Sequence, residues 1–163
     1  MINYIYQLVA PGAFSIKYED IDFGDKVIVK PRYMAVCHAD QRYYTGQRDR
    51  QVLKRKLPMA LIHECCGEVI YDPTGTYKRG EMVVAIPNVQ GEEDLVIFEN
   101  YAKDAKFLSS GSDGFLREYV DLPVNRVVPC GDISGGLAAV TEFVSVAAHS
   151  VRRFAGIAHK RRN

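Results

Sequence analysis

Short runs of β-branched and aromatic residues recur up to Pro129, separated by turn signals, and this spacing limits the fold more than any other feature. The runs are NYIYQLV, KVIVKPRYMAV, HECCGEVIYD, EMVVAIPN, LREYVDLP and NRVVP. Turn-forming clusters stand between them at residues 11–12, 23–25, 72–75, 78–81 and 111–114. Many short strands punctuated in this way predict a small barrel or sandwich, a mainly β chain with helices. After Pro129 the period changes. Asp132 or Ser134 can cap a helix in which Leu137, Val140, Val144, Ala147, Ala148 and Val151 share one face, with Glu142, Ser145 and His149 opposite. The helix is expected to end near Gly156, followed by a charged HKRRN tail. The expected division is a barrel over 1–133 and a helix with a basic tail over 134–163.

Composition narrows the class. Hydrophobic residues at 47% and charged residues at 25% are enough for a packed core. A net charge of +1 argues against a nucleic-acid binder. The N-terminus lacks the basic start and apolar run of a signal peptide, and no stretch approaches the ~20 apolar residues of a membrane span. The expected compartment is therefore the cytoplasm, away from membranes, where Cys37, Cys65, Cys66 and Cys130 are thiols or metal ligands rather than disulfides. Cys65 and Cys66 point to opposite faces if they lie in a strand.

Two motifs carry chemistry: AVCHAD, ending at Asp40, and LIHECCGEV, starting at Leu61. Cysteine and histidine are strong zinc ligands, and a catalytic zinc keeps three protein ligands and one open position. Cys37 and His63 come from separated elements and can meet at one ion, whereas His38 and Cys37 diverge as neighbours. Taken singly, each residue has a plainer role: Cys37 as a small buried residue, His63 at a core edge, Glu142 on a solvated helix face. The basic stretch between the motifs holds Arg42, Arg48, Arg50, Lys54, Arg55 and Lys56 against one acid, Asp49. A solvated surface loop is its plain reading. A phosphate-receiving rim is its functional one.

The order of these motifs resembles the medium-chain zinc-dependent alcohol and polyol dehydrogenases over almost the whole chain. That family reads Cys-x-x-Asp, then Gly-His-Glu with a nearby Gly-Glu-Val. GSDGFLREYVDLPVNRVVP is similar to its GGFAEYV segment, and VTEFVSVAAHSVRR to the EPLAVALHAVRR of the polyol branch. The resemblance implies a GroES-like β-barrel with a C-terminal helix. It implies metal ligation by Cys37, His63 and Glu142, with Glu64 flanking the ion, Asp40 supporting the metal site from behind, and Tyr43 in the substrate pocket. It also implies one catalytic zinc. Within the family the wording most resembles the ribulose-5-phosphate reductases of teichoic-acid and capsule synthesis, which use NADPH and work beside a cytidylyltransferase making CDP-ribitol. An open-chain sugar phosphate then suits both ends of the site, with Arg42, Arg48, Arg50 and Lys54 receiving its phosphate.

Three departures stand out. Ile62 replaces the glycine before the histidine. Ala39 occupies the position of a relay hydroxyl, leaving Tyr43 or Thr45 as substitutes. The stretch from Asn88 to Gly114 lacks the cysteines of a structural zinc lobe, so no structural zinc is expected. A Rossmann cofactor domain is also expected to be absent, because no Gly-x-Gly-x-x-Gly follows a βαβ unit. The chain thus reads as the catalytic half of a zinc-dependent oxidoreductase, inactive alone. The alternative is a stand-alone, non-catalytic zinc-binding or interaction domain. The uncovered apolar face of the 137–151 helix would favour homo-oligomers.

Overall fold

The computed structural model describes residues 1–89 and 102–160, with side chains to Ala155. The expectation about a structural zinc falls partly on residues outside this description, as does the end of the basic tail. The strands are β1 (Ile2–Ala10), β2 (Ala13–Asp20), β3 (Val27–Ala35), β4 (Met59–Ala60), β5 (Glu64–Tyr71), β6 (Met82–Ala85), β7 (Asn88–Val89), β8 (Lys106–Phe107), β9 (Val120–Leu122) and β10 (Val127–Pro129). The helices are α1 (His38–Tyr44), α2 (Arg50–Lys56), α3 (Gly135–Ala139) and α4 (Thr141–Lys160). Every strand pairing among the described residues is antiparallel.

Five strands form the curled main sheet in the order β10-β6-β5-β3-β9, and β2-β1-β4 form a second. The segment before β9 joins the two. Tyr6 N donates to Leu116 O, Glu118 N donates to Tyr4 O, and the buried Asn3 amide exchanges two hydrogen bonds with the backbone of Tyr119. Inside this half-barrel pack Leu8, Val29, Met59, Val69, Phe115, Val120 and Leu122, all fully buried. The mainly β, GroES-like expectation holds, and the alternating apolar pattern of its strands explains it. Cys65 and Cys66 do take opposite faces: Cys65 enters the main core, and Cys66 joins Cys130, Ala138 and Ala139 in a smaller cluster under α3.

Several local expectations are corrected. The basic stretch is not a loop but two short helices. Asp49 caps α2 by accepting from Gln51 N and Val52 N, and Lys54, Arg55 and Lys56 fall in its last turn, where cations suit the helix dipole. The C-terminal helix is two helices. Ser134 is the N-cap of α3, and the chain breaks phase at Val140 before α4. The apolar face expected to be uncovered is exposed at Leu137, Val144 and Val151, and Ala138 and Ala139 are the buried positions of α3. Gly156 does not end α4, which runs to Lys160. β2 was not foreseen. It is an edge strand, almost wholly exposed, so its sequence shows little hydrophobic alternation toward a core.

A three-rung clamp holds the approach to the site. Gly114 N, Phe115 N and Leu116 N donate to the carbonyls of Ala60, Ile62 and Leu61. The chains approach so closely that a Cβ on Gly114 would lie 2.3 Å from Ile62 O and 2.4 Å from Leu61 O, both backbone atoms that cannot swing away. Gly114→Ala is expected to lower Tm by about 5–10 °C in thermal denaturation, from a strain of roughly 2–3 kcal/mol. An unchanged Tm would show that the clamp can open without loss.

Candidate metal centre

Cys37 is the N-cap residue of α1, placed there by the end of β3, and Asp40 lies one turn further on. Asp40 is buried and fully engaged. Its Oδ2 accepts from Cys37 N at 3.1 Å and lies 3.1 Å from Cys37 Sγ. Its Oδ1 accepts from Ile62 N at 2.9 Å and from Ser109 Oγ at 3.2 Å. One carboxylate thus fixes the start of α1, the residue before His63 and a loop from the far end of the chain.

Ile62 has a φ of +72°, a left-handed backbone that glycine adopts freely and a β-branched residue does not. This explains why the resembled family carries glycine there. The isoleucine retains the conformation at a cost of about 1–2 kcal/mol. Bonds from both sides compensate: its N–H goes to Asp40 and its carbonyl receives Phe115 N at 2.7 Å. The turn directs His63 toward Cys37.

His63 Nε2 lies 3.4 Å from Cys37 Sγ. Its other ring nitrogen, Nδ1, is buried without a hydrogen-bond partner. Ligand atoms of Cys37, Asp40 and His63 lie within 4.8 Å of one another, and so do those of His63, Glu64 and Glu142. Glu64 comes from the first position of β5 and Glu142 from the first turn of α4. A thiol, an imidazole and carboxylates gathered in two groups that share His63 suit a divalent cation, and the thiol faces the ring through Nε2.

The charges agree. Burial pushes the Cys37 thiol up to about 11, with the Asp40 carboxylate adding to it. Burial and then the Glu142 carboxylate raise Glu64 above the ordinary carboxylate range, partly opposed by His63. Burial likewise raises Glu142. Acidic groups crowded in this way lack a counter-charge, which a cation would supply.

The arginines and lysine expected at a phosphate separate. Arg48 lays its guanidinium over the buried ring of Tyr43, 4.5 Å from the centroid, and its Nε is buried without a hydrogen-bond partner. Arg42 Nε is turned to Gln47 O at 3.2 Å. Arg50 is exposed on α2, and so is Lys54; neither side chain makes a hydrogen bond or ion pair among the described residues. Tyr43 sits in the core, 3% exposed, under Arg48. Thr45 Oγ1 is engaged by Gln41 O.

Sequence reasoning missed two contributors. The Phe107 ring meets the His63 ring edge-on at 5.3 Å, and the Ser109 hydroxyl reaches Asp40. Neither sits in a motif with chemical spacing. A cleft of about 1020 Å³ opens between α4 and the barrel, lined by Glu142, Ser145 and His149 on one side and Phe107, Ile86 and Arg126 on the other. The polar helix face inferred from Glu142, Ser145 and His149 is the one that borders it.

Comparison with known proteins agrees with the fold. Residues 24–132 match the alcohol dehydrogenase GroES-like domain. A ribulose-5-phosphate reductase of Streptococcus pneumoniae (strain ATCC BAA-255 / R6) is 53% identical over 167 residues, covering 99% of this chain and 48% of that protein. Ribulose-5-phosphate reductase 1 of Staphylococcus aureus (strain NCTC 8325 / PS 47) is 51% identical over 94% of this chain and 46% of its own length. The chain therefore spans about half the length of the curated relatives it matches. The crystal structure of S. aureus TarJ in complex with NADPH superposes with a TM-score of 0.75 at 41% identity, covering 97% of this chain and 43% of that one. L-idonate 5-dehydrogenase of Escherichia coli shares the fold, with a TM-score of 0.82 at 21% identity over 93% of this chain and 46% of that one. By its sequence match and its fold alike, this chain belongs to the alcohol dehydrogenase GroES-like domain family.

Proposed function

We propose that this chain is the catalytic-domain half of a zinc-dependent, NADPH-using ribulose-5-phosphate reductase, which makes ribitol 5-phosphate for teichoic-acid or capsule synthesis. The observation that carries the reading is a pair of adjoining donor groups that share His63, one with Cys37 and Asp40 and the other with Glu64 and Glu142, beside an open cleft. Cys37, His63 and Glu142 would hold one zinc ion, with Glu64 beside it. Bound there, zinc supplies Lewis-acid polarisation of a ketone oxygen. The change catalysed is reduction of that ketone to an alcohol: the carbonyl carbon receives a hydride from NADPH, which becomes NADP+, and the oxygen takes a proton from solvent.

The chain's own residues then have distinct tasks. Asp40 keeps Cys37 and the backbone of Ile62 in register, so that thiol and imidazole face each other. Phe107 packs edge-on against the His63 ring and helps to fix its orientation. Arg48, stiffened by its seat on Tyr43, offers a planar guanidinium for the substrate phosphate. The expected partners are the phosphorylated sugar and a cytidylyltransferase that consumes the product. The described elements form an antiparallel barrel with helices, so hydride transfer relies on a dinucleotide-binding domain alongside them.

A second reading, a stand-alone zinc-binding or interaction module that self-associates, is favoured by one observation: Leu137, Phe143, Val144, Val146, Val151 and Phe154 are all exposed along α3 and α4. Sedimentation separates the readings. A monomeric chain that becomes active when joined to a dinucleotide-binding domain supports the first.

Equilibrium dialysis is expected to give one zinc ion per chain, with Cys37→Ser weakening binding by about 100-fold or more. Equal binding by the two chains would remove the site. In a protein joined to its cofactor domain, Arg48→Met is expected to raise KM for the sugar phosphate by about tenfold or more with a smaller change in kcat. Steady-state kinetics with an unchanged KM would take the phosphate role away from Arg48.

A further inference from the structure

Among the described residues, Ile62 and Ser109 are the non-glycine positions with positive φ, at +72° and +64°. They lie 47 positions apart in sequence, yet both hydrogen bond to the same atom, Asp40 Oδ1. Backbone conformations that residues avoid persist where the surroundings over-determine them, and such places cluster at functional sites. Here the shared acceptor is the carboxylate whose other oxygen holds Cys37.

Ser109 reaches this atom from a loop that touches the centre a second time. Two residues earlier, Phe107 lies edge-on to the His63 ring. The loop between them is rigid: Leu108 N donates to Pro87 O at 2.9 Å, Ser109 N to Ser112 O at 3.0 Å, and Ser110 N to Phe107 O at 3.1 Å. Ser109 itself is 4% exposed, so its hydroxyl has no water to choose instead. Without it, Oδ1 would keep Ile62 N as its sole partner, and one backbone donor at each oxygen, Ile62 N and Cys37 N, would be left to hold the carboxylate. A turn of the carboxylate about these bonds would shift Oδ2 relative to Cys37 Sγ. Partners one step removed from a metal's ligands, as Asp40 is here, typically change affinity by about 10–100-fold, and Ser109 acts through that partner.

We infer that Ser109 is a positioning residue for the Cys37–His63 pair, acting through Asp40 and coupling the loop that carries Phe107 to the metal centre. The inference rests on the metal reading above and adds a residue to it.

The test uses a matched pair of variants of the full chain. Ser109→Thr and Ser109→Val have the same shape and the same β-branched penalty at positive φ, and differ in the hydroxyl. Ser109→Gly suits the backbone and lacks the hydroxyl. Zinc affinity is measured by competition with a chromogenic chelator, and the cobalt-substituted chains are compared by their sulfur-to-metal charge-transfer band. The expected result is that Thr binds zinc about tenfold or more tightly than Val, that Gly binds as weakly as Val while its metal-free Tm does not fall, and that the cobalt band is preserved in Thr and shifted in Val and Gly. Equal affinity and spectra across all three overturn the role of Ser109 and leave the metal reading intact. Failure of the unaltered chain to take up zinc overturns both. Should Val unfold, the comparison of Gly with the unaltered chain decides the matter.

Discussion

The carboxylate of Asp40 is the interaction on which the rest of the centre depends. It is buried, it meets four polar groups, and these come from three parts of the chain: Cys37 at the end of β3, Ile62 before β5 and Ser109 beyond β8. Such a group is costly to bury unless its acceptor sites are filled. Filling them fixes where those three segments can lie. The clamp of residues 114–116 on residues 60–62 acts in the same direction from the other side of Ile62. Together they hold an isoleucine in a conformation that it would not choose alone. The orientation of His63 is therefore set by the whole half-barrel rather than by its immediate neighbours.

Much of this was legible in the sequence. Strands β1, β3, β5, β6 and β10 coincide with apolar runs, because their alternation or full burial is written in residues such as Ile5, Val29 and Val69. Motif order points to Cys37, His63, Glu64 and Glu142, and the fold groups His63 with Cys37 and Asp40 on one side and with Glu64 and Glu142 on the other. Other features were not legible for identifiable reasons. β2 is an exposed edge whose residues face water on both sides. The break between α3 and α4 at Val140 carries no glycine or proline, so an apparently continuous 3.6 periodicity runs through it. Ser109 lies in a Ser-Ser-Gly-Ser run that reads as an ordinary turn. Its link to Asp40 spans 69 positions, and no local pattern encodes it.

The basic stretch shows how a compositional signal divides once it folds. Six cations in sequence suggest one patch, but the fold distributes them over α1, the link after it and α2. Lys54, Arg55 and Lys56 complement the C-terminal end of that helix, where the backbone carbonyls are unpaired. Lys56 also donates to Ser110 Oγ at 2.6 Å, tying α2 to the loop behind the centre. Arg48 differs from the others because its stem is packed and its head rests on an aromatic face. It has already lost the side-chain freedom that binding an anion would otherwise cost. Pre-organisation, rather than charge alone, distinguishes it as the candidate phosphate residue.

The donor set spans two structural layers, with consequences for how the parts cohere. Cys37, His63 and Glu64 belong to the barrel, whereas Glu142 belongs to α4, most of whose described side chains are exposed. α3 is the physical link, since Ala138 and Ala139 pack with Cys66 and Cys130 against the main sheet. A cation shared by barrel and helix would add a second link, and the free energy of binding it would also be free energy for docking α4. The crowded carboxylates act in the opposite sense. Glu64 and Glu142 face one another across the gap, each with its charged form disfavoured by burial. Repulsion between them without an ion, and attraction through one, would couple the seating of α4, one wall of the cleft, to occupancy of the centre.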